Sequence, residues 1–196
     1  MRLRRLPAVL LFALVAVHSA AVQPADGTAR IPAAAAAIDP ARSHVGFTVT
    51  KLGFSDVDGT FRDFDVELRY DPDRPALSSV RWRVRVASVK TGEANRDRAL
   101  QSVEYFDAVH HPELTFESRQ VRALDAGRLE VEGDITIKGR TRPLTIIVAR
   151  TADGRFETRF ELDRYDFDVR GGRVMSRLIG RTVRIHLVAT AEQEEA

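Results

Sequence analysis

From about Ile38 to Ala191 the dominant signal is an alternation of apolar and polar residues with a period of two. The clearest stretch is Val80-Arg81-Trp82-Arg83-Val84-Arg85-Val86, which puts Val, Trp, Val and Val on one face and three arginines on the other. A helix of period 3.6 could not segregate these residues, so the segment reads as a half-buried strand. The same alternation predicts strands at Val45–Val49, Phe64–Tyr70, Leu129–Ile137, Phe156–Leu162 and Val183–Leu187, with weaker ones at Leu114–Val121 and Leu144–Ala149. Turn residues fall between them, at Asp58-Gly59, Asp71-Pro72-Asp73, Asp125-Ala126-Gly127, Lys138-Gly139 and Asp153-Gly154. Glu93–Ser102 lacks the alternation, is rich in helix formers and predicts one short helix. Arg170–Gly180, with three glycines, predicts a long loop over one end. About eight strands with charged outer faces and apolar inner ones must hide those inner faces, and closing the sheet on itself also removes its edges. The expected fold is all-β: an antiparallel eight-stranded barrel with one short helix, spanning residues 38–191 and followed by a tail at 192–196.

The N-terminus changes the charge picture. Arg2, Arg4 and Arg5 precede an apolar run to Val17, and Ser19-Ala20-Ala21 offers a small-residue cleavage site. Residues 1–21 therefore read as a secretory signal peptide, too short in its apolar part for the roughly 20 residues that span a bilayer. Residues 22–37, Ala-rich with Pro24 and Pro32, read as a flexible linker. The leader holds three of the 30 basic residues and none of the 28 acidic ones, leaving 27 against 28 and a net charge of −1. The basic balance of the whole chain thus gives no argument for a nucleic-acid partner. No later stretch is long and apolar enough to be an integral membrane segment. Cysteine is absent, which excludes disulfides, thiolate metal sites and a Cys nucleophile. Ten of the fourteen aromatic residues are Phe, which favours an apolar interior over an aromatic recognition surface.

Catalytic signatures are weak. There is no Gly-x-Ser-x-Gly elbow, and Ser43-His44 point to opposite faces of a strand. His110-His111 with Glu113 lacks the i, i+4 spacing that sets two metal ligands on one helix face, so no metal site is expected. Arg81, Arg83 and Arg85 are expected to meet carboxylates on neighbouring strands, with Glu67, Glu130 and Glu132 as candidates. The residues alone leave open whether the barrel is filled, as in a stress-response or interaction module, or hollow. A hydrolase acting on an amphiphile is a third reading.

Several motifs in a fixed order resemble the YceI-like family of periplasmic, lipocalin-like polyisoprenoid-binding proteins. They are Ile38-Asp39-Pro40 through Phe47, Leu52-Gly53-Phe54-Ser55, and Gly59-Thr60-Phe61 before Phe64. Arg96-Asp97 with Leu100, Ser102 and Tyr105-Phe106-Asp107 follows, then Gly133-Asp134-Ile135-Thr136-Ile137-Lys138-Gly139 and Asp163-Arg164-Tyr165-Asp166-Phe167. The resemblance implies a hollow lipocalin-like barrel in the periplasm, without enzymatic activity or cofactor. It would bind an isoprenoid lipid, either a polyprenyl phosphate or a quinone-type molecule, and a homodimer is compatible with it. On that reading the inward residues Phe47, Val49, Phe64, Val84, Val86, Phe116, Ile135, Ile137, Ile146 and Phe160 are candidates to line the tunnel. Arg96, Asp97 and Arg177 are candidates for its polar mouth, since a guanidinium fork suits a phosphate. Arg96 and Asp97 have a second reading, as a network that pins the helix to the barrel. The chain departs from its relatives at Lys51, Glu93 and Ala99, where they carry His, Asn and His, and at Asp168, which replaces a glycine.

Overall fold

Among the residues that the computed structural model describes, 35–125 and 127–191, eleven strands form one sheet. They are β1 (Ala35–Ala36), β2 (His44–Lys51), β3 (Ser55–Phe61), β4 (Phe64–Arg69), β5 (Ser79–Arg85), β6 (Val89–Lys90), β7 (Glu113–Asp125), β8 (Arg128–Ile137), β9 (Arg140–Arg150), β10 (Arg155–Asp163) and β11 (Ile179–Thr190). Helices α1 (Ala94–Gln101) and α2 (Met175–Leu178) lie outside the sheet. Every pairing is antiparallel, in the order β1-β4-β5-β7-β8-β9-β10-β11-β2-β3-β6.

The count exceeds eight because two long strands bend. β3 runs into β4 through Arg62-Asp63, and β5 runs into β6 through a 3₁₀ turn at Val86–Ser88. At the corner the Arg85 N–H donates to the Asp63 carbonyl (2.9 Å), so the bent pairs β4·β5 and β3·β6 form one continuous seam. Counting each bent strand once and leaving out the two-residue β1 gives eight staves, and β2 closes the ring by pairing with both β3 and β11. β1 pairs with β4, so the stretch expected to be irregular up to residue 37 contributes a short strand. The stretches read as a signal peptide and a C-terminal tail, with most of the linker, lie outside the described residues.

Asp58-Gly59 is not a turn. It lies inside β3, where Gly59 is the register partner of Phe47. The Phe47 ring occupies the space a Cβ on Gly59 would need, at 2.2 Å, so the glycine is the hollow that receives the ring. Arg170–Gly180 is not all loop, since it contains α2 and the first residues of β11. The arginines of β5 meet carboxylates as expected, with Glu67 among them but not Glu130 or Glu132. Arg81 binds Glu67 and Glu117, Arg83 binds Glu67, and Arg85 binds Asp65 and Glu113. Glu130 and Glu132 pair instead with Arg122.

One end of the barrel is filled by Leu68, Trp82, Val121, Leu129, Val131, Phe156 and Ala189, which leave a cavity of only about 40 Å³. Inside this core the Thr158 hydroxyl is buried with no hydrogen-bond partner. An unpaired buried hydroxyl costs about 1–3 kcal/mol, and valine has nearly the same shape. Thr158→Val is therefore expected to raise stability by about 1 kcal/mol. Urea denaturation would show this as a higher midpoint at unchanged slope; a lower midpoint would mean the hydroxyl is satisfied.

Candidate functional site

Above the packed end the barrel holds a cavity of about 430 Å³, within the range of small-molecule sites. Trp82, Ile146 and Leu187 form its floor, since they also border the packed end. Apolar side chains make the walls: Phe47, Val49, Val84, Phe116, Leu144, Phe160, Val183 and Ile185 among them. Polar side chains gather at the α1 end, where Lys51, Thr91, Glu93, Asn95, Arg96 and Arg164 border the opening.

The alternation explains the walls. Residues two apart on one strand share a face, so Phe47 and Val49, or Ile135 and Ile137, project into the same space. Phe116 depends on a glycine across the sheet. A Cβ on Gly133 would stand 2.6 Å from the Phe116 ring and 2.4 Å from the Glu117 carbonyl oxygen. β9 and β10 pair only near Val148–Arg150, and beyond that point they separate. A 3₁₀ turn at Arg164–Phe167 follows β10, and Phe167 and Val169 pack there against Ile137.

Nine of the thirteen sequence candidates border the cavity: Phe47, Val49, Val84, Arg96, Phe116, Ile135, Ile137, Ile146 and Phe160. Four lie elsewhere. Phe64 packs on Trp82 with ring centroids 6.1 Å apart, because β4 has already turned the corner away from the cavity. Val86 is fully buried in the corner turn. Arg177 sits on α2 outside the lining. Asp97 faces α1's attachment point, accepting from the Thr91 N–H (2.8 Å) and hydroxyl (2.6 Å). The hydrogen bonds from Thr91 hold its carboxyl below the usual carboxylate range. Arg96 grips the same threonine, donating to its hydroxyl (2.8 Å) and its carbonyl (2.7 Å). The pair thus pins α1 to the end of β6, the second of the two readings given above. His110 pairs with Asp107, while the His111 ring lies against Gly139.

Lys51, Glu93 and Ala99, positions where the resemblance implied other residues, all line the cavity. Arg164 was not foreseen as a site residue. It is 6% exposed, yet among the described residues its guanidinium forms no ion pair. All its hydrogen bonds go to backbone carbonyls: Gly180 (2.8 Å), Val169 (2.7 Å), Arg170 (2.6 Å), Ser176 (3.2 Å) and Ile179 (2.9 Å). Burial disfavours the charged form and lowers its pKa. The Tyr165 hydroxyl adds a bond to the Ser176 carbonyl (3.0 Å), and Arg164, Arg170 and Arg181 surround the Tyr165 ring at 4.7 to 4.8 Å. Together they fasten the segment carrying α2 beside the opening. Asp168 holds a left-handed backbone (φ 57°), the conformation that a glycine adopts freely, and ion-pairs with Arg170 and Arg140. The hydrogen bond from Arg170 draws its carboxyl below the ordinary range.

A family model for the YceI-like domain matches residues 37–191. The chain belongs to the YceI-like family. A UPF0312 protein of Vibrio cholerae is 38% identical over 139 residues, 68% of this chain and 70% of its own length. Another, from Ectopseudomonas mendocina, is 34% identical over 144 residues, 68% of this chain and 75% of that one. The YceI-like barrel is also similar to the crystal structure of Burkholderia cenocepacia BcnA. There the TM-score is 0.73 at 28% identity, covering 79% of this chain and all of that one. A polyisoprenoid-binding domain from Saccharophagus degradans shares the fold with TM-score 0.60 at 16% identity, over 79% of this chain and 97% of its own. Among the described residues of this YceI-like chain, no helix is long and apolar enough to cross a membrane.

Proposed function

We propose that the protein is a carrier that holds a long isoprenoid chain inside the barrel and performs no chemistry on it. The observation that carries this reading is the cavity's division: predominantly apolar walls and floor, with the charged groups Lys51, Glu93, Arg96 and Arg164 gathered around the opening. Each methylene-sized group moved from water into such walls contributes about 0.8 kcal/mol. Ten of them supply about 8 kcal/mol, enough to offset much of the cost of association. A phosphate or quinone head would remain at the opening, beside Lys51, Asn95 and Arg96. The polyisoprenoid-binding domain that shares this fold supports the class of ligand. The leader read in the sequence supports export, to the periplasm in a Gram-negative host.

Native mass spectrometry of the gently purified protein, followed by solvent extraction, tests the reading. An added mass of several hundred daltons that extracts as a polyprenyl species is the expected result. A protein that stays unliganded when incubated with polyprenyl phosphates and quinones would overturn it. Phe160→Trp, which enlarges a wall residue, should lower affinity for such a ligand about tenfold while costing about 1–3 kcal/mol of stability. Unchanged affinity in that variant would remove Phe160 from the ligand's path.

A further inference from the structure

The end of the barrel that carries the opening also carries apolar side chains in unusual places. Phe54 and Leu52, at the tip of the β2–β3 hairpin, are 82% and 49% exposed, and Val174, just before α2, is 70% exposed. The two elements adjoin, since the Leu52 N–H donates to the Leu178 carbonyl (2.7 Å) and Lys51 is the register partner of Ile179. Leu52 also has a left-handed backbone (φ 57°), a conformation that disfavours a branched apolar side chain and suits Gly or Asn. A leucine half exposed in such a turn gains little from packing to offset the strain.

The charges around these side chains are mixed, since Asp56 of the same hairpin pairs with Arg184, but unmatched cations gather beside the tips. The stretch 170–181 contains four arginines and no acidic residue. Arg170 and Arg181 are matched by Asp168 and Asp163, whereas Arg173, Arg177 and nearby Lys51 form no ion pair among the described residues. Glu104 and Asp166 lie at the border of this region, Glu104 beside Gly172. Protruding apolar tips flanked by unmatched cations have the chemistry of a surface that inserts shallowly into an anionic bilayer.

We infer that this end of the barrel docks on anionic lipid membranes, with Phe54, Leu52 and Val174 entering the headgroup boundary and Lys51, Arg173 and Arg177 meeting lipid phosphates. The inference rests on the carrier reading for its purpose, because it sets the opening against the membrane and spares an apolar chain the passage through water. A flat apolar patch would suit a protein partner better than separate tips on a hairpin and a short segment.

Flotation of the purified protein with vesicles tests it, comparing phosphatidylcholine alone with phosphatidylcholine mixed with phosphatidylglycerol. The protein should float with the mixed vesicles, and raised salt should weaken the association several-fold. Phe54→Ser should reduce partitioning about tenfold, and Arg173→Gln with Arg177→Gln by a similar factor on mixed vesicles only. Both variants alter exposed side chains, and circular dichroism would verify their folds. Failure of the parent to float, or equal flotation of the variants, overturns the inference. Self-association or a protein complex abolished by Phe54→Ser, without flotation, assigns the tips to a protein and overturns it as well. Uptake of a fluorescent polyprenyl analogue, measured without vesicles, separates the two readings. Uptake without flotation overturns docking alone, and flotation without uptake overturns the carrier reading and leaves docking standing.

Discussion

Arg164→Lys is expected to destabilise the protein by about 2–4 kcal/mol, although charge is conserved. The five guanidinium bonds reach carbonyls spread from Val169 to Gly180, a fan that a single ammonium with three donors cannot cover. Carbonyls left inside without a donor carry the loss, since a stranded buried group costs more than a typical hydrogen bond contributes. Arg164→Met should cost more, about 3–5 kcal/mol. The damage should begin locally, because the segment carrying α2 is fastened chiefly through Arg164 and Tyr165. Amide exchange ought therefore to accelerate across residues 170–180 before the strands of the barrel lose protection. A lysine variant within about 0.5 kcal/mol of the parent, with unchanged exchange in that segment, would show that the five bonds are replaceable.

Gly133→Ala adds a single methyl group, yet it should cost about 2–3 kcal/mol. The new Cβ would meet the Glu117 carbonyl oxygen at 2.4 Å, and a backbone atom cannot swing aside as a flexible side chain can. The Phe116 ring, 2.6 Å from the same point, must also move, and its displacement takes volume from the cavity. Pairing the change with Phe116→Leu should recover only the part of the loss due to the ring, since the carbonyl conflict remains. Thermal and urea denaturation of the two variants measure the partition. Full recovery in the double variant would place the whole conflict on the ring.

Most of the strands were legible because sheet leaves its mark on every second residue. β8 shows Leu129, Val131, Ile135 and Ile137 inward without exception, and Gly133 joins them on the same face. β3 escaped for a reason that alternation cannot express. Its inward position opposite Phe47 is Gly59, and Asp58-Gly59 has the composition of a tight turn. The requirement for glycine comes from a ring on the neighbouring strand, which only the pairing register reveals. The apolar walls of the cavity were legible for the same reason as the strands. Phe64 and Val86 were placed with them because period-two reasoning gives a face but not a height along the barrel, and both sit at the corner. Arg164 was illegible as a site residue because its partners are main-chain carbonyls, which carry no residue identity. Arg96 and Asp97 were recognised as a unit, and the structure shows what the unit holds: Thr91, and through it α1.

The closing seam between β2 and β11 has a consequence for the order of events during synthesis. Val45 finds its partner in Leu187, and Val49 in Val183, so the first full stave is joined to the last. Such distant pairings make folding slow, because a loop of well over a hundred residues must close before they contribute. On a ribosome releasing the chain from its N-terminus, the apolar faces of seven staves stand ready while the eighth is still in the tunnel. The barrel is thus a structure that cannot be completed in instalments. Until β11 emerges, the nascent chain is a set of sheet edges and greasy faces that depends on a chaperone or on speed to avoid association with its neighbours.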